Sequence, residues 1–123
     1  MEIPKPTDDD KAVFRALVPD RPDVLVKPMF GNLGAYVNGN MFMGRFGPSI
    51  GLKLSERDRD ALLSVDGAGP FGPPERPMGG YVSLPAGWRK PTKQTEDWVT
   101  RSLEFVAAFP PKITKKAKTT GSP

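Results

Sequence analysis

The sequence predicts an α+β fold: a small antiparallel sheet of about five strands with a central hairpin, packed by three helices. Three observations predict it. Asn38-Gly39 lies between two apolar runs, and both central positions of a two-residue type I′ turn need the positive φ that Asn and Gly tolerate best. Thr7, Ser55 and Thr92 each stand before a stretch with helical apolar spacing, where an N-cap belongs. Ile50-Gly51-Leu52-Lys53-Leu54 alternates with the period of a half-buried strand.

Taken in order, Pro4 and Pro6 give an irregular lead-in over 1–6. Thr7 then caps a helix whose first turn holds Asp8, Asp9 and Asp10, where carboxylates meet free N–H groups and the positive end of the dipole. Asp10 completes a capping box one methylene shorter than usual, and this role accounts for the acidic triplet better than a metal cluster does. Val13, Phe14 and Leu17 form the apolar stripe, and Pro19 ends the helix. Val24-Leu25-Val26 is a short β-prone run leading to Pro28, which suits an edge strand or a bulge.

The hairpin follows. A two-residue turn fixes its register, setting Val37 opposite Asn40, Tyr36 opposite Met41 and Ala35 opposite Phe42. One face then carries Leu33, Ala35, Val37, Phe42 and Phe46; the other carries Tyr36, Met41, Met43 and Arg45. Both faces are largely apolar, so helices are expected over one, and further protein or a partner over the other.

Gly47-Pro48 turns the chain into the strand with Ile50, Leu52 and Leu54 inward. Ser55 with Asp58 repeats the capping pattern, Ala61, Leu62 and Val65 face inward, and Gly67 supplies the stop. Gly67-Ala68-Gly69-Pro70-Phe71-Gly72 has the letters of a dinucleotide fingerprint. It follows a helix and runs into Pro73-Pro74, however, so it reads as a loop in which Phe71, Arg76 and Met78 are the residues of interest. Gly80 to Leu84 is the last strand. Thr92 caps a final helix with Trp98, Val99, Leu103, Phe105, Val106 and Phe109 on its apolar face, and Pro110-Pro111 stops it.

Composition narrows function. The chain has 123 residues, no Cys and no His, which suits one domain over 7–109 and removes disulfides, thiolate nucleophiles and imidazole chemistry. No apolar run has the length of a membrane span and Met1 to Pro4 lacks signal-peptide features, so a cytoplasmic protein is expected. The net charge of +4 is local: beyond Phe109 the charged residues are Lys112, Lys115, Lys116 and Lys118. Setting those four aside from 18 basic residues leaves 14 against 14 acidic ones. The domain is neutral, and 110–123 is expected to be a basic, disordered tail with weak nucleic-acid contact through its four lysines.

The hairpin and its neighbours also carry a resemblance. Lys27, Met29-Phe30-Gly31, Gly34-Ala35-Tyr36-Val37-Asn38-Gly39, Met41-Phe42, Leu52-Lys53-Leu54, Tyr81, Leu84-Pro85 and Trp98 follow in the order found in the N-terminal domain of the TfoX/Sxy proteins, bacterial regulators of natural competence. The chain resembles that family from about Val13 to Phe109. The resemblance implies a compact α+β fold and a non-enzymatic regulatory role. Its best-known members act with a cyclic-AMP receptor protein at promoters of DNA-uptake genes.

No catalytic residue, cofactor or metal is therefore expected. Tyr36, Tyr81, Lys53, Lys27 and Asp66 could serve acid–base chemistry, but nothing in their spacing brings an acid and a base together. The expected partner is a protein, either a transcription regulator or a second copy in a homodimer. Tyr36, Met41, Met43 and Arg45 are the candidate interaction surface, since Met adapts to varied partners and exposed apolar sheet faces mark interfaces. On this reading Met43→Lys alters the oligomeric state without unfolding the domain.

Overall fold

The computed structural model describes residues 7–29, 32–73 and 75–111, with Met29 described by its backbone alone. Its elements are α1 (Asp8–Leu17), β1 (Val24–Met29), β2 (Asn32–Val37), β3 (Asn40–Phe46), β4 (Ser49–Lys53), α2 (Glu56–Leu63), β5 (Gly69–Pro70), β6 (Tyr81–Ser83), a 3₁₀ turn (Ala86–Trp88) and α3 (Lys93–Ala107). The strands form one antiparallel sheet in the order β1-β2-β3-β4-β6-β5. The fold is α+β with three helices, as the sequence implies. The sixth strand is the addition: β5 comes from inside the glycine-rich loop, where Gly69 pairs with Ser83 and Pro70 with Val82. Two residues are too few to show a period, so nothing local announces them.

The helix starts follow local chemistry. The Asp10 N–H donates to Thr7 Oγ1 at 3.0 Å and the Thr7 N–H donates to Asp10 Oδ2 at 2.9 Å, a complete capping box. The Asp58 N–H donates to Ser55 Oγ and the Thr95 N–H to Thr92 Oγ1, opening α2 and α3. α2 ends earlier than expected. Its C-cap is Ser64, while Gly67 takes φ +95° three residues later, in the loop. Leu62 is buried and Val65 partly so, but Ala61 is exposed, because an eight-residue helix turns only Leu62 fully onto the core.

At the hairpin, Asn38 and Gly39 take φ of 52° and 80°. Val37 faces Asn40 and Tyr36 faces Met41, as a two-residue turn dictates. The next pairing departs from expectation: Ala35 faces Met43 instead of Phe42, Gly34 faces Gly44 and Leu33 faces Arg45. Phe42 is the extra residue of a β-bulge, and every side chain of β3 beyond it changes face. Met43 and Arg45 turn to the helix side with Leu33 and Ala35, whereas Phe46 turns away. Ser102 of α3 serves the bulge: its Oγ lies 2.6 Å from the Phe42 carbonyl and 2.8 Å from that of Lys53, and its single proton is shared between them.

Helices cover one face of the sheet. Phe14 and Leu17 of α1, Leu62 of α2, and Val99, Leu103 and Val106 of α3 pack on Leu33, Ala35, Val37, Phe42, Met43, Ile50, Leu52, Val82 and Leu84, all fully or nearly fully buried. Ile50, Leu52 and Leu54 are inward, as their alternation implies. Among the described residues no helix is long and apolar enough to cross a membrane.

Candidate functional site

The other face is built on a row of missing side chains. Register aligns Lys27, Gly34, Gly44, Gly51, Ser83 and Gly69 across all six strands. Four of those six positions lack a Cβ, so the sheet has a low floor there. Phe71, just past β5, lies on that floor. A Cβ added at Gly51 would sit 2.2 Å from Phe71 Cγ, and one at Gly44 would be 3.3 Å from the same ring. The ring meets Phe46 edge-on at 6.5 Å and Tyr81 at 6.0 Å, and it is buried to 1%. The expectation of helices on one side and further cover on the other is answered within the chain: its own glycine-rich loop provides that cover. The loop's fingerprint letters are followed by no helix that could receive a phosphate.

The cover is partial. Beside Phe71 a groove of about 290 Å³ remains, walled by Tyr36, Met41, Lys53, Met78, Tyr81 and Phe109. Gly39 and Asn40 of the hairpin turn close one end. Asn40 Nδ2 donates to the Pro110 carbonyl at 3.1 Å, holding the turn against the segment after α3 and placing Phe109 in the wall. The Tyr81 hydroxyl donates to the Met41 carbonyl at 2.8 Å. Burial, with Tyr36 nearby, pushes the Tyr81 phenol up to about 12, so it is a neutral hydroxyl at physiological pH.

Two ammonium groups stand on aromatic rings of this face. Lys53 Nζ lies 5.4 Å from the Tyr81 ring centre and 5.6 Å from that of Phe109; Lys27 Nζ lies 4.6 Å from that of Tyr36. These are cation–π distances, which hold each ammonium without neutralising it. Among the described residues no ion pair engages either lysine.

Of the four residues expected to form an interaction surface, the structure leaves Tyr36 and Met41 on this face and removes the other two. Met43 is 0% exposed in the helix-covered core. Arg45 is 2% exposed. Its Nη2 lies 2.7 Å from Asp10 Oδ1, its Nε donates to the Gly47 carbonyl at 3.0 Å, and its Nη2 donates to that of Pro48 at 3.3 Å. The bulge at Phe42 is the physical reason in both cases. Asp10 thus caps α1 with one oxygen and holds β3 with the other. The Thr7 hydrogen bonds and the Arg45 charge outweigh desolvation and lower the Asp10 carboxyl below its usual range; burial lowers Arg45, against the Asp10 charge.

The structure brings Tyr36, Tyr81 and Lys53 into one groove with Lys27 at its margin, although their spacing in sequence shows no such grouping. Asp66 is exposed and is not part of the groove wall. Phe109 was legible as an apolar helix-end residue, and Lys53 could have been placed here from alternation alone, since it stands between inward Leu52 and Leu54. Lys112, Lys115, Lys116 and Lys118 lie outside the described residues. Among the described residues no group of three or more acidic side chains could hold a metal ion.

Compared with known proteins, the chain matches the family described as the TfoX N-terminal domain over residues 16–106. No curated protein and no solved structure matches it.

Proposed function

Because the chain belongs to the TfoX N-terminal domain family, we propose that it is a non-enzymatic regulatory module that binds a partner protein in the control of transcription. The observation that supports this is the half-covered second face, with its open groove of aromatic, thioether and ammonium groups. Such a mixed surface is what a binding site needs, and family membership alone would carry only the fold. A binding role without catalysis is supported by the site's chemistry. The chain has no His or Cys, and the Tyr81 phenol is committed to a backbone carbonyl and held neutral. On this reading the protein works in the bacterial cytoplasm, with competence control as the process that the family implies.

The test is transcript profiling of a strain lacking the gene, complemented with the wild type or with Met41→Lys. The wild type is expected to restore the altered transcripts and the folded variant to fail. Equal rescue by both contradicts a role for this face.

Self-association is a second reading, favoured by one observation: β1 is an outer strand of the sheet and its Leu25 is 60% exposed, opposite Tyr36. Sedimentation at rising concentration is expected to show a dimer that Leu25→Glu dissociates. A wild type that stays monomeric contradicts it.

A further inference from the structure

The groove's charge is unbalanced, and that imbalance points to the chemistry of its occupant. Among the described lining residues Lys53 is the one charged group. Its ammonium rests on two aromatic faces with no carboxylate paired to it among the described residues, and Lys27 repeats the arrangement on Tyr36. Resting on the binding-module reading, we propose that this face takes an extended acidic segment of a partner protein, with one carboxylate on Lys53, a second on Lys27, and an apolar side chain between them in the groove.

Three features favour this occupant. Lysines lie over the rings of Tyr36, Tyr81 and Phe109, so those π faces are already engaged and offer a poor stacking platform for bases. The chain's own segment beyond Phe109 has only lysines as charged residues, and it would meet Lys53 with like charge. The surface also continues past the groove, through Tyr36 to exposed Leu25 and Lys27 on β1, farther than a small carboxylate reaches.

Geometry gives the spacing. Three interstrand steps separate β1 from β4, roughly 14 Å at normal strand separation. Lys53 also stands two residues along from Gly51, which shares the row of Lys27. The resulting separation of roughly 16 Å is spanned by between about four and five residues of extended peptide. The segment therefore carries two acidic residues about four or five positions apart, with a Leu, Met or Phe between.

Fluorescence anisotropy of the full chain, at low salt, tests this. The probe is a labelled eight-residue peptide with two glutamates four positions apart flanking Leu-Phe. A Glu→Lys version, an oligothymidylate and benzoate serve as competing arms. The acidic peptide is expected to bind, K53E to weaken it at least tenfold, and the double variant K27E/K53E to prefer the lysine peptide. If K53E melts early by circular dichroism, K53Q removes the charge alone and must still weaken binding. The inference is overturned if both peptides bind alike, if loss of the Lys53 charge leaves binding within twofold, or if the oligonucleotide or benzoate competes as well as the acidic peptide. Failure here with Met41→Lys still blocking transcript rescue would leave the binding-module reading standing and remove only its acidic partner.

Discussion

The two faces of this sheet share one set of strands and one register, yet they are built in opposite ways. On the helix side the row is filled: Met43, Leu52 and Val82 lie side by side across β3, β4 and β6 and are buried under α3 and α2. On the other side the neighbouring row is Gly44, Gly51 and Ser83, and a single aromatic from a loop lies where a layer of side chains would otherwise stand. A row of large residues needs helices to bury it. A row of glycines needs only one ring, and one ring cannot cover a whole face. The groove beside Phe71 follows from that shortfall.

The largest expected effect separates the two faces at neighbouring methionines. Met43→Lys places an ammonium in the sealed core without a partner and is expected to cost about 4–5 kcal/mol, enough to unfold a domain of ordinary stability. Its sequence-based expectation, a changed oligomeric state in a folded protein, is reversed by the bulge. Met41→Lys lets a long stem lie along the groove with its charge in water and is expected to cost under about 1 kcal/mol. Thermal melts of the pair check both.

Asp10→Asn comes next. It leaves the buried Arg45 charge without its carboxylate, at an expected cost of about 2–3 kcal/mol. The pH dependence has a definite sign. A carboxyl lowered by folding stabilises above its unfolded pKa, here 3.8, and that stability is lost as pH falls through the folded value. The gap between wild type and variant is therefore widest near neutrality and narrows as the solution is acidified, which denaturant titrations across the acid range measure.

Gly51→Ala sharpens the contrast within the open face. Its Cβ would meet the Phe71 ring at 2.2 Å, so the ring has to move. The expected loss is about 1–3 kcal/mol. Gly69→Ala, on the same row, has no heavy atom within 4 Å of its Cβ and is expected to stay within about 0.5 kcal/mol of the wild type. Tyr81→Phe is a milder change than Gly51→Ala. It removes the hydrogen bond to the Met41 carbonyl, about 1 kcal/mol. In an ultraviolet titration it also removes the phenol that ionises near 12.

What the sequence made legible is what neighbouring residues decide. Thr7 with Asp10, Ser55 with Asp58, Thr92 and the Asn38-Gly39 turn all act within three residues, and each helix start and the hairpin stand where those residues place them. The bulge was hidden because Met41-Phe42-Met43 is apolar throughout, leaving no alternation from which an extra residue could be read. Arg45 falls on the second face by the same unbroken alternation, and the bulge moves it to the helix side. Its partner Asp10 lies 35 positions earlier and already had a complete local role in the capping box. Phe71 was recognised only as a loop residue of interest, because its floor comes from three strands that become neighbours only once the sheet has formed.

The most direct test of one sealed face and one open face uses the methionine methyl groups. In a ¹³C-methyl-labelled sample titrated with a soluble paramagnetic probe, Met41 and Met78 are expected to broaden early while Met43 stays sharp. Equal broadening of Met43 and Met41, or equal protection of both, would contradict the division between the faces.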